Sequence, residues 1–485
     1  MQSWEIVLLV MGIYLILALA VGILAGRKRT FSIEEYVVGQ RKFGVILTVF
    51  LVSGTWFSAF AFLGGPGWAF SRGTAVFYIL GYLAPAYVLW WAIGPKTSRI
   101  GKKMNLVTQG DLLRERYQSK LLPALVAIVA TFAFIQYICV QLKGTAYLMN
   151  VFTEGHIPMW AGALIAYGIV VSYVMLSGVR GAAWSDVLQG ALMIGIAWVL
   201  GLYIVYHLYG SPTAMFREIN AIYPGHLLIG EPGSKMGPAT FSTLIILCSI
   251  GAMMWPHIFM KGYVAEERTI KRSILIFPIL GIFLVPVFFI GFAGVMKVAP
   301  TELAAADQIL PHMIYSILSV PPIVIGLVGA GALAAAMSSA DAITHGAGSV
   351  FIQDIVRPIK PNMSEKSVVW WMRIAVLIIG IVAYALTFGA QSLVGLLIGG
   401  YNFIVQIAPP IYGAYYWKRA TRAGALSGFI VGTLIAIFYT FAKVPTPLGM
   451  NLGILALIVN IIVFVVVSLL TKPQPKEHVE KFINA

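Results

Sequence analysis

The stretch 331–341, Gly-Ala-Leu-Ala-Ala-Ala-Met-Ser-Ser-Ala-Asp, lies inside a long apolar run. As a helix it sets Ala335, Ser338 and Ser339 on one face, because residues three and four apart are neighbours. Two adjacent hydroxyls among Gly and Ala supply hard oxygen atoms, the ligand type that a small cation such as Na⁺ takes. The same residues also make a packing seam, in which each hydroxyl bonds back to a carbonyl of its own helix. Taken alone, the stretch favours the seam. A cation site needs further oxygens from elsewhere in the chain.

Residues 51–59, Leu-Val-Ser-Gly-Thr-Trp-Phe-Ser-Ala, place Gly54 and three hydroxyls in a second apolar run, followed by Gly-Gly-Pro-Gly at 64–67. Gly weakens a helix and Pro cannot donate to its ladder, so a local break that frees carbonyls is expected here. A kinked helix with internally bonded hydroxyls is the competing reading. Residues 249–257, Ser-Ile-Gly-Ala-Met-Met-Trp-Pro-His, repeat the pattern and predict a second broken helix. Pro256-His257 there reads as a cap and kink rather than a proton relay. Lys143, in Gln141-Leu-Lys-Gly144, is the one basic residue at membrane depth. An intramembrane ionisable group is a functional hypothesis by default, here as the partner of an anionic substrate. Snorkelling to the outer interface, or pairing with a neighbouring acid, stands ahead of it. Asp186 falls in the first turn of a helix, where the dipole favours it. Asp341 and His345 stand at i, i+4 and can pair. Tyr401, Asn402 and Gln406 precede Pro409-Pro410 in another irregular, polar-lined helix.

The elements that must position these residues follow from composition. The chain of 485 residues is 59% hydrophobic and 11% charged, against about 45–50% and about 25% for soluble domains. Apolar runs long enough to cross the roughly 30 Å hydrocarbon core recur throughout. The expected fold is an all-α polytopic membrane protein of about 13 spans, since only helices and closed barrels satisfy the backbone in lipid. The first run is followed by Arg27-Lys-Arg without a small-residue cleavage site, so it reads as a helix rather than a removable signal. Cys139 and Cys248 lie in apolar segments without metal-ligand spacing and read as core residues.

The net charge is +15, and its placement reports topology rather than a nucleic-acid partner. With the N-terminus outside, about 27 of the 33 Lys and Arg residues fall in loops and a tail on the cytoplasmic side. Arg72, Arg217, Lys235, Lys297 and Lys443 fall outside. This bias predicts N-out, C-in. The expected order is a peripheral first helix and loop (1–42), a five-helix repeat (43–208), an outer loop (209–239), a second five-helix repeat (240–416), two peripheral helices (417–471) and a tail (472–485). Residues 109–116 predict a short interfacial helix, 299–312 a short surface helix, the outer loop a partly ordered cap, and the tail a frayed end. Spans two and seven, each first of five, start on opposite sides, so the halves have inverted topology. Interrupted helices at corresponding positions of inverted halves point to a transporter site at the midplane.

The chain resembles the sodium:solute symporter family, whose members share the leucine-transporter type of inverted-repeat fold, over residues 10–440 or so. The resemblance rests on four stretches in order: Gly-Gly-Pro-Gly at 64–67 after the broken second span, Trp184-Ser-Asp-Val-Leu-Gln189, Ala-Ala-Ala-Met-Ser-Ser-Ala-Asp at 334–341, and the basic turn into a Gly/Ala-rich helix at 416–428. It implies a sodium site made of the carbonyls of Gly54, Phe57 and Ala335 and the hydroxyls of Ser338 and Ser339. It also implies a place for Asp186 on the ion's exit route. Proline-transporting members have an Asp where this chain has Trp56, so proline becomes a weaker expectation. The substrate is expected beside the sodium, with Thr55, Ser58, Gln141, Lys143, Met254, Tyr401 and Gln406 as lining candidates. That lining is poor in polar groups for a sugar, and Trp255-Pro-His257 is similar to the organic-acid branch.

The expected function is a Na⁺-coupled symporter of the cell membrane importing a small carboxylate, a monocarboxylate or pantothenate, by alternating access. Its expected partners are the solute, the coupling ion Na⁺ and the bilayer, with no further metal and no obligate protein partner evident. The alternatives are proton coupling through Asp186, Asp341, His257 or His345, and sodium symport of an amino acid such as proline or of a sugar. A channel would need repeated filter loops, which are missing from the sequence. An enzyme would need a nucleophile elbow, a Cys/His cluster or a phosphate loop, and no such motif occurs.

Overall fold

The computed structural model describes residues 1–26, 32–230, 236–318, 320–389 and 393–484. The basic trio at 27–29 and Lys235 lie outside them. Among the described residues all regular structure is helical, as a backbone in lipid requires.

After α1 (Ser3–Leu24), α2 (Ile33–Val38) is capped by Ser32, whose hydroxyl accepts the Glu35 N–H at 3.1 Å. Helix α3 (Val45–Trp56) stops where Phe57 leaves helical geometry (φ −93°, ψ 65°). A π-helical turn over Phe60–Gly64 then leads into α4 (Gly65–Arg72), so the second span is broken as expected. Helix α5 (Tyr78–Met104) is followed by α6 (Gln109–Tyr117), the expected short helix, started by a reciprocal cap between Thr108 and Asp111.

Next come α7 (Leu121–Phe152) and α8 (Met159–Tyr209). At 51 residues, α8 is roughly 75 Å long, more than twice the hydrocarbon thickness of about 30 Å. It is interrupted at Gly178 (φ 56°, ψ −148°). A Cβ there would lie 2.6 Å from the Tyr36 carbonyl oxygen, so both backbone and space demand glycine. The spans expected at 157–178 and 183–208 therefore lie on either side of this break, within one element long enough for two crossings. Among the described residues ten helices are long and apolar enough to cross, up to 12 if each bent pair is one span, with the kinked α8 taken as a single helix.

The outer loop carries α9 (Pro212–Ile222). Helix α10 (Pro238–Gly251) and α11 (Pro256–Phe259) form the second broken span, bent by 55° between Met254 and Pro256. Then follow α12 (Glu267–Gly281), α13 (Leu284–Gly294), the single turn α14 (Ile309–His312) and α15 (Pro322–Val350), which holds the serine pair. A π-helical turn continues α15 into α16 (Arg357–Ile359). The rest is α17 (Glu365–Thr387), α18 (Leu393–Ile404), α19 (Ala408–Tyr416), α20 (Arg422–Ala442), α21 (Leu452–Leu470) and α22 (Lys476–Ile483).

Helix α15 is the axis of the molecule. Every residue from Val328 to Val350 is buried, and α1, α3, α7, α8 and α17 pack around it. Its Gly and Ala residues let the neighbouring backbones approach, the usual device where no hydrophobic force drives helices together. The outward faces of α17, α20 and α21 expose Ile378, Ile381, Leu434, Phe438, Ile458 and Ile462, as lipid contact requires. The chain is a multi-pass membrane protein.

Three expectations are corrected. The tail is not frayed: α22 buries Val479 and Phe482, because apolar residues three apart give it one packing face. Lys96 donates to the Ile483 carbonyl at 2.8 Å, and a His478 ring nitrogen meets the Arg116 carbonyl at 3.0 Å. Residues 299–312 form short turns rather than one surface helix, and Asp307 among them is buried. Lys261, one of the residues that the charge count assigns to the cytoplasmic loops, is buried in the core, in the segment 256–262 that follows the 55° bend.

Candidate functional site

The broken end of α3 faces the small-residue face of α15. The Ser338 hydroxyl donates to the Gly54 carbonyl at 2.9 Å and lies 3.2 Å from the Ala335 carbonyl of its own helix. The Ser339 hydroxyl lies 2.9 Å from both the Gly54 and the Thr55 carbonyls. Those carbonyls are available because α3 stops. The Ala59 N–H, which a continuing helix would bond to Thr55, instead donates to Gln141 Oε1 at 3.1 Å. Gln141 of α7 thus holds the break open.

Gly54 has no room for a side chain. A Cβ there would sit 2.9 Å from Asp186 Oδ1 and 3.3 Å from Ser338 Cβ, so α3, α8 and α15 meet at this residue. Phe57 is the first residue past α3, its ring edge-on to Phe283 at 4.5 Å. The serine contacts fall on Gly54 and Thr55 rather than on Phe57.

Behind the seam lie two buried acids. Both Asp186 oxygens are buried without a hydrogen-bond partner. Asp341 Oδ2 accepts from the Tyr173 hydroxyl at 2.8 Å and from Ser185 at 3.2 Å. A His345 ring nitrogen meets the Tyr36 carbonyl at 2.8 Å. Asp341 and His345 therefore turn to different partners instead of pairing, because α2 and α8 each offer a nearer one. The Lys261 ammonium donates to the Leu51 carbonyl and the Thr55 hydroxyl. Sequence reasoning passed over it. The available signal was a lone Lys in the apolar run Ile-Phe-Met-Lys-Gly-Tyr at 258–263.

Beside the seam is a cluster of buried aromatic rings. Trp255, at the bend between α10 and α11, has Tyr137 at 5.1 Å and Tyr401 and His257 at 5.6 Å between ring centroids. Trp56 stacks on Tyr87 at 5.0 Å. The indole N–H groups of Trp56 and Trp255, both His257 ring nitrogens and Gln136 Oε1 are buried without hydrogen-bond partners. The Tyr137 hydroxyl donates to the Thr55 carbonyl at 3.2 Å and ties the aromatic cluster to the seam. Thr55, Gln141 and Tyr401 are thus brought together. Met254 is buried in the turn before Trp255, and Ser58 Oγ accepts the Phe60 N–H at 3.1 Å within the break.

Two lining candidates face elsewhere. Gln406 donates to the Asn402 and Gly453 carbonyls at 3.1 and 3.0 Å and accepts from Asn460. It braces the turn between α18 and α19 against α21. Lys143 lies over the Tyr147 ring at 5.7 Å and acts electrostatically on Asp307. Asp307 Oδ2 accepts the Leu393 N–H at 2.9 Å, at the start of α18. Burial pushes the Asp307 carboxyl up from the ordinary range, against the pull of that N–H and of Lys143. Among the described residues, no three His, Cys, Asp or Glu side chains gather as a transition-metal site would need.

A family model described as the sodium:solute symporter family matches residues 36–432. The chain belongs to this family. It is 31% identical over 473 residues to the uncharacterized symporter YhjB of Bacillus subtilis, covering 94% of this chain and 96% of that one. To the sodium/pantothenate symporter of Escherichia coli it is 28% identical over 434 residues, covering 87% and 88%. A solved Na⁺-coupled sialic acid symporter, substrate-bound and outward-open, shares the fold at a TM-score of 0.80 with 18% identity, over 97% of this chain and 98% of that one. This sodium:solute symporter is thus placed among membrane transporters of small solutes rather than among enzymes.

Proposed function

We propose that this symporter couples inward Na⁺ movement to uptake of a small carboxylate, a monocarboxylate or pantothenate, across the cell membrane. Its N-terminus would be outside and its C-terminus cytoplasmic, a reading supported by the charge bias of the loops. The sodium ligands are the carbonyls of Gly54, Phe57 and Ala335 and the hydroxyls of Ser338 and Ser339. The observation that carries this is the approach of both serine hydroxyls to the Gly54 carbonyl at 2.9 Å. Without an ion, each hydroxyl spends its proton on a carbonyl. With Na⁺ between them, the O–H bonds rotate away and lone pairs face the ion. An all-neutral oxygen set holds Na⁺ weakly enough to release it on every cycle. Asp186, buried beside Gly54 with free oxygens, offers the next attraction on the way out.

The aromatic cluster supports a carboxylate. The Trp255 indole N–H and the His257 ring, 5.6 Å apart between centroids, are buried with no acceptor, and leaving such donors unmade is costly. A carboxylate would accept from them as charge-assisted bonds, while its apolar remainder packs on Trp255, Tyr137 and Tyr401. The sodium/pantothenate relative agrees with this class.

The test is uptake of labelled pantothenate and labelled short monocarboxylates into proteoliposomes under a sodium gradient or a pH gradient. Sodium-driven uptake is expected. Uptake driven by the pH gradient and indifferent to Na⁺ would overturn the reading in favour of Asp186 as a proton carrier. Replacing both serines, Ser338→Ala with Ser339→Ala, should raise the Na⁺ concentration for half-maximal uptake by about tenfold or more.

A further inference from the structure

Lys261 sits on the other side of the strip of α3 that the serines hold. Its ammonium donates to the Leu51 carbonyl and the Thr55 hydroxyl, while the Thr55 carbonyl takes the Ser339 hydroxyl at 2.9 Å. One residue, Thr55, therefore separates a buried positive charge from the seam. A buried ammonium persists only where acceptors and opposite charge surround it. The acceptors are those two oxygens, and the opposite charges acting on it are Asp186 and Asp341. Asp186 in turn reaches the seam, its Oδ1 within 2.9 Å of where a Gly54 Cβ would be, and both of its oxygens lack hydrogen-bond partners. Lys261 also lines, with His257, His345, Val179 and Ala342, a cavity of about 10 Å³ under the seam. That is room for about one water, so the ammonium has little solvent to screen it.

We propose that Lys261 is a tethered cation that weakens sodium binding at the seam and thereby sets how readily the ion leaves. It is a positioning residue acting through Thr55 and Asp186, not a sodium ligand. With no Na⁺ bound, Lys261 balances the charge of Asp186 and Asp341 and holds the last turn of α3. With Na⁺ bound, two positive charges share that field across one residue in a poorly screened interior, where like charges repel strongly. The repulsion costs sodium affinity and favours departure toward Asp186. The inference rests on the seam being the sodium site, so its test must separate failure of the seam from failure of Lys261.

The experiment is equilibrium binding of radiolabelled Na⁺ alone to the purified full-length chain, with melting temperature recorded for each variant. Lys261→Met should bind Na⁺ about tenfold more tightly than wild type. Lys261→Arg, which keeps the charge, should restore the wild-type affinity. Lys261→Gln, which keeps a donor for Thr55, is the second neutral variant should Lys261→Met fail to fold, and it should also bind more tightly. A lysine that merely braces α3 would give weaker binding in both neutral variants. Unchanged or weaker binding in a folded neutral variant overturns the proposal. The serine double variant separates the two levels. If it binds Na⁺ as wild type does, the seam itself is overturned and the inference with it; if it loses Na⁺ while the neutral Lys261 variants do not tighten, only the role of Lys261 falls.

Discussion

Gly54 is where three helices come within one side chain of each other, so its lack of a Cβ decides the site's geometry. Ala in its place would push against Asp186 Oδ1 at 2.9 Å and Ser338 Cβ at 3.3 Å. The carbonyl shared by both serines would have to move. Gly54→Ala is expected to raise the Na⁺ concentration for half-maximal uptake by about tenfold, with a stability loss of about 1–3 kcal/mol as for other overpacked cores. A sodium titration of uptake together with a melting curve checks both numbers. At this scale the serine pair was legible, because helical spacing alone puts Ala335, Ser338 and Ser339 on one face. The pairing of Asp341 with His345 was read from the same rule and did not form. Spacing within a helix says which side chains can meet, not whether Tyr173 or a Tyr36 carbonyl from another element is closer.

At the scale of elements, both helix breaks fall where Gly, Pro and hydroxyls interrupt apolar runs, at 54–67 and 251–256. What holds them was not legible: Gln141 comes from α7 to take the Ala59 N–H. Asp307 plays a similar part for α18 by accepting the Leu393 N–H, and its burial predicts a pH dependence. Burial raises its folded pKa above the ordinary 3.8, so between those two values the folded chain keeps a proton that the unfolded chain has lost. The group's contribution to stability is therefore greatest at low pH and falls as pH rises through the raised pKa. Asp307→Asn should flatten that fall. Melting temperatures of both forms from about pH 4 to about pH 7 would show it, and parallel curves would remove Asp307 as the cause.

For the whole molecule, the arrangement is a buried axis, α15, wrapped by helices whose outer faces meet lipid. The polar end of the molecule is tied down as well, since α22 docks beside α5 and α6 through Phe482, Lys96 and His478. Phe482→Ala removes a fully buried ring, a loss of about 3 kcal/mol by the behaviour of other buried aromatics. Because α22 is a short helix with only Val479 and Phe482 buried, the loss should appear as undocking of α22 before global unfolding. Limited proteolysis should then cleave near residues 472–475 faster in the variant, and equal rates would show that the ring does not anchor the tail.

Composition and apolar run length by themselves determined that this chain is a helical membrane protein, because lipid leaves a backbone only that choice. The spacing of small and hydroxyl residues, with four ordered motifs, determined the family and the α15 half of the seam proposed to hold Na⁺. The tertiary structure decided what depends on the approach of distant segments. It put the Thr55 carbonyl under Ser339, turned Gln406 toward α21, laid Lys143 over the Tyr147 ring and buried Lys261 beneath the seam. The reason is that periodicity governs one helix at a time. A broken helix changes direction at its break, and only the packed bundle determines which charges and carbonyls then face each other.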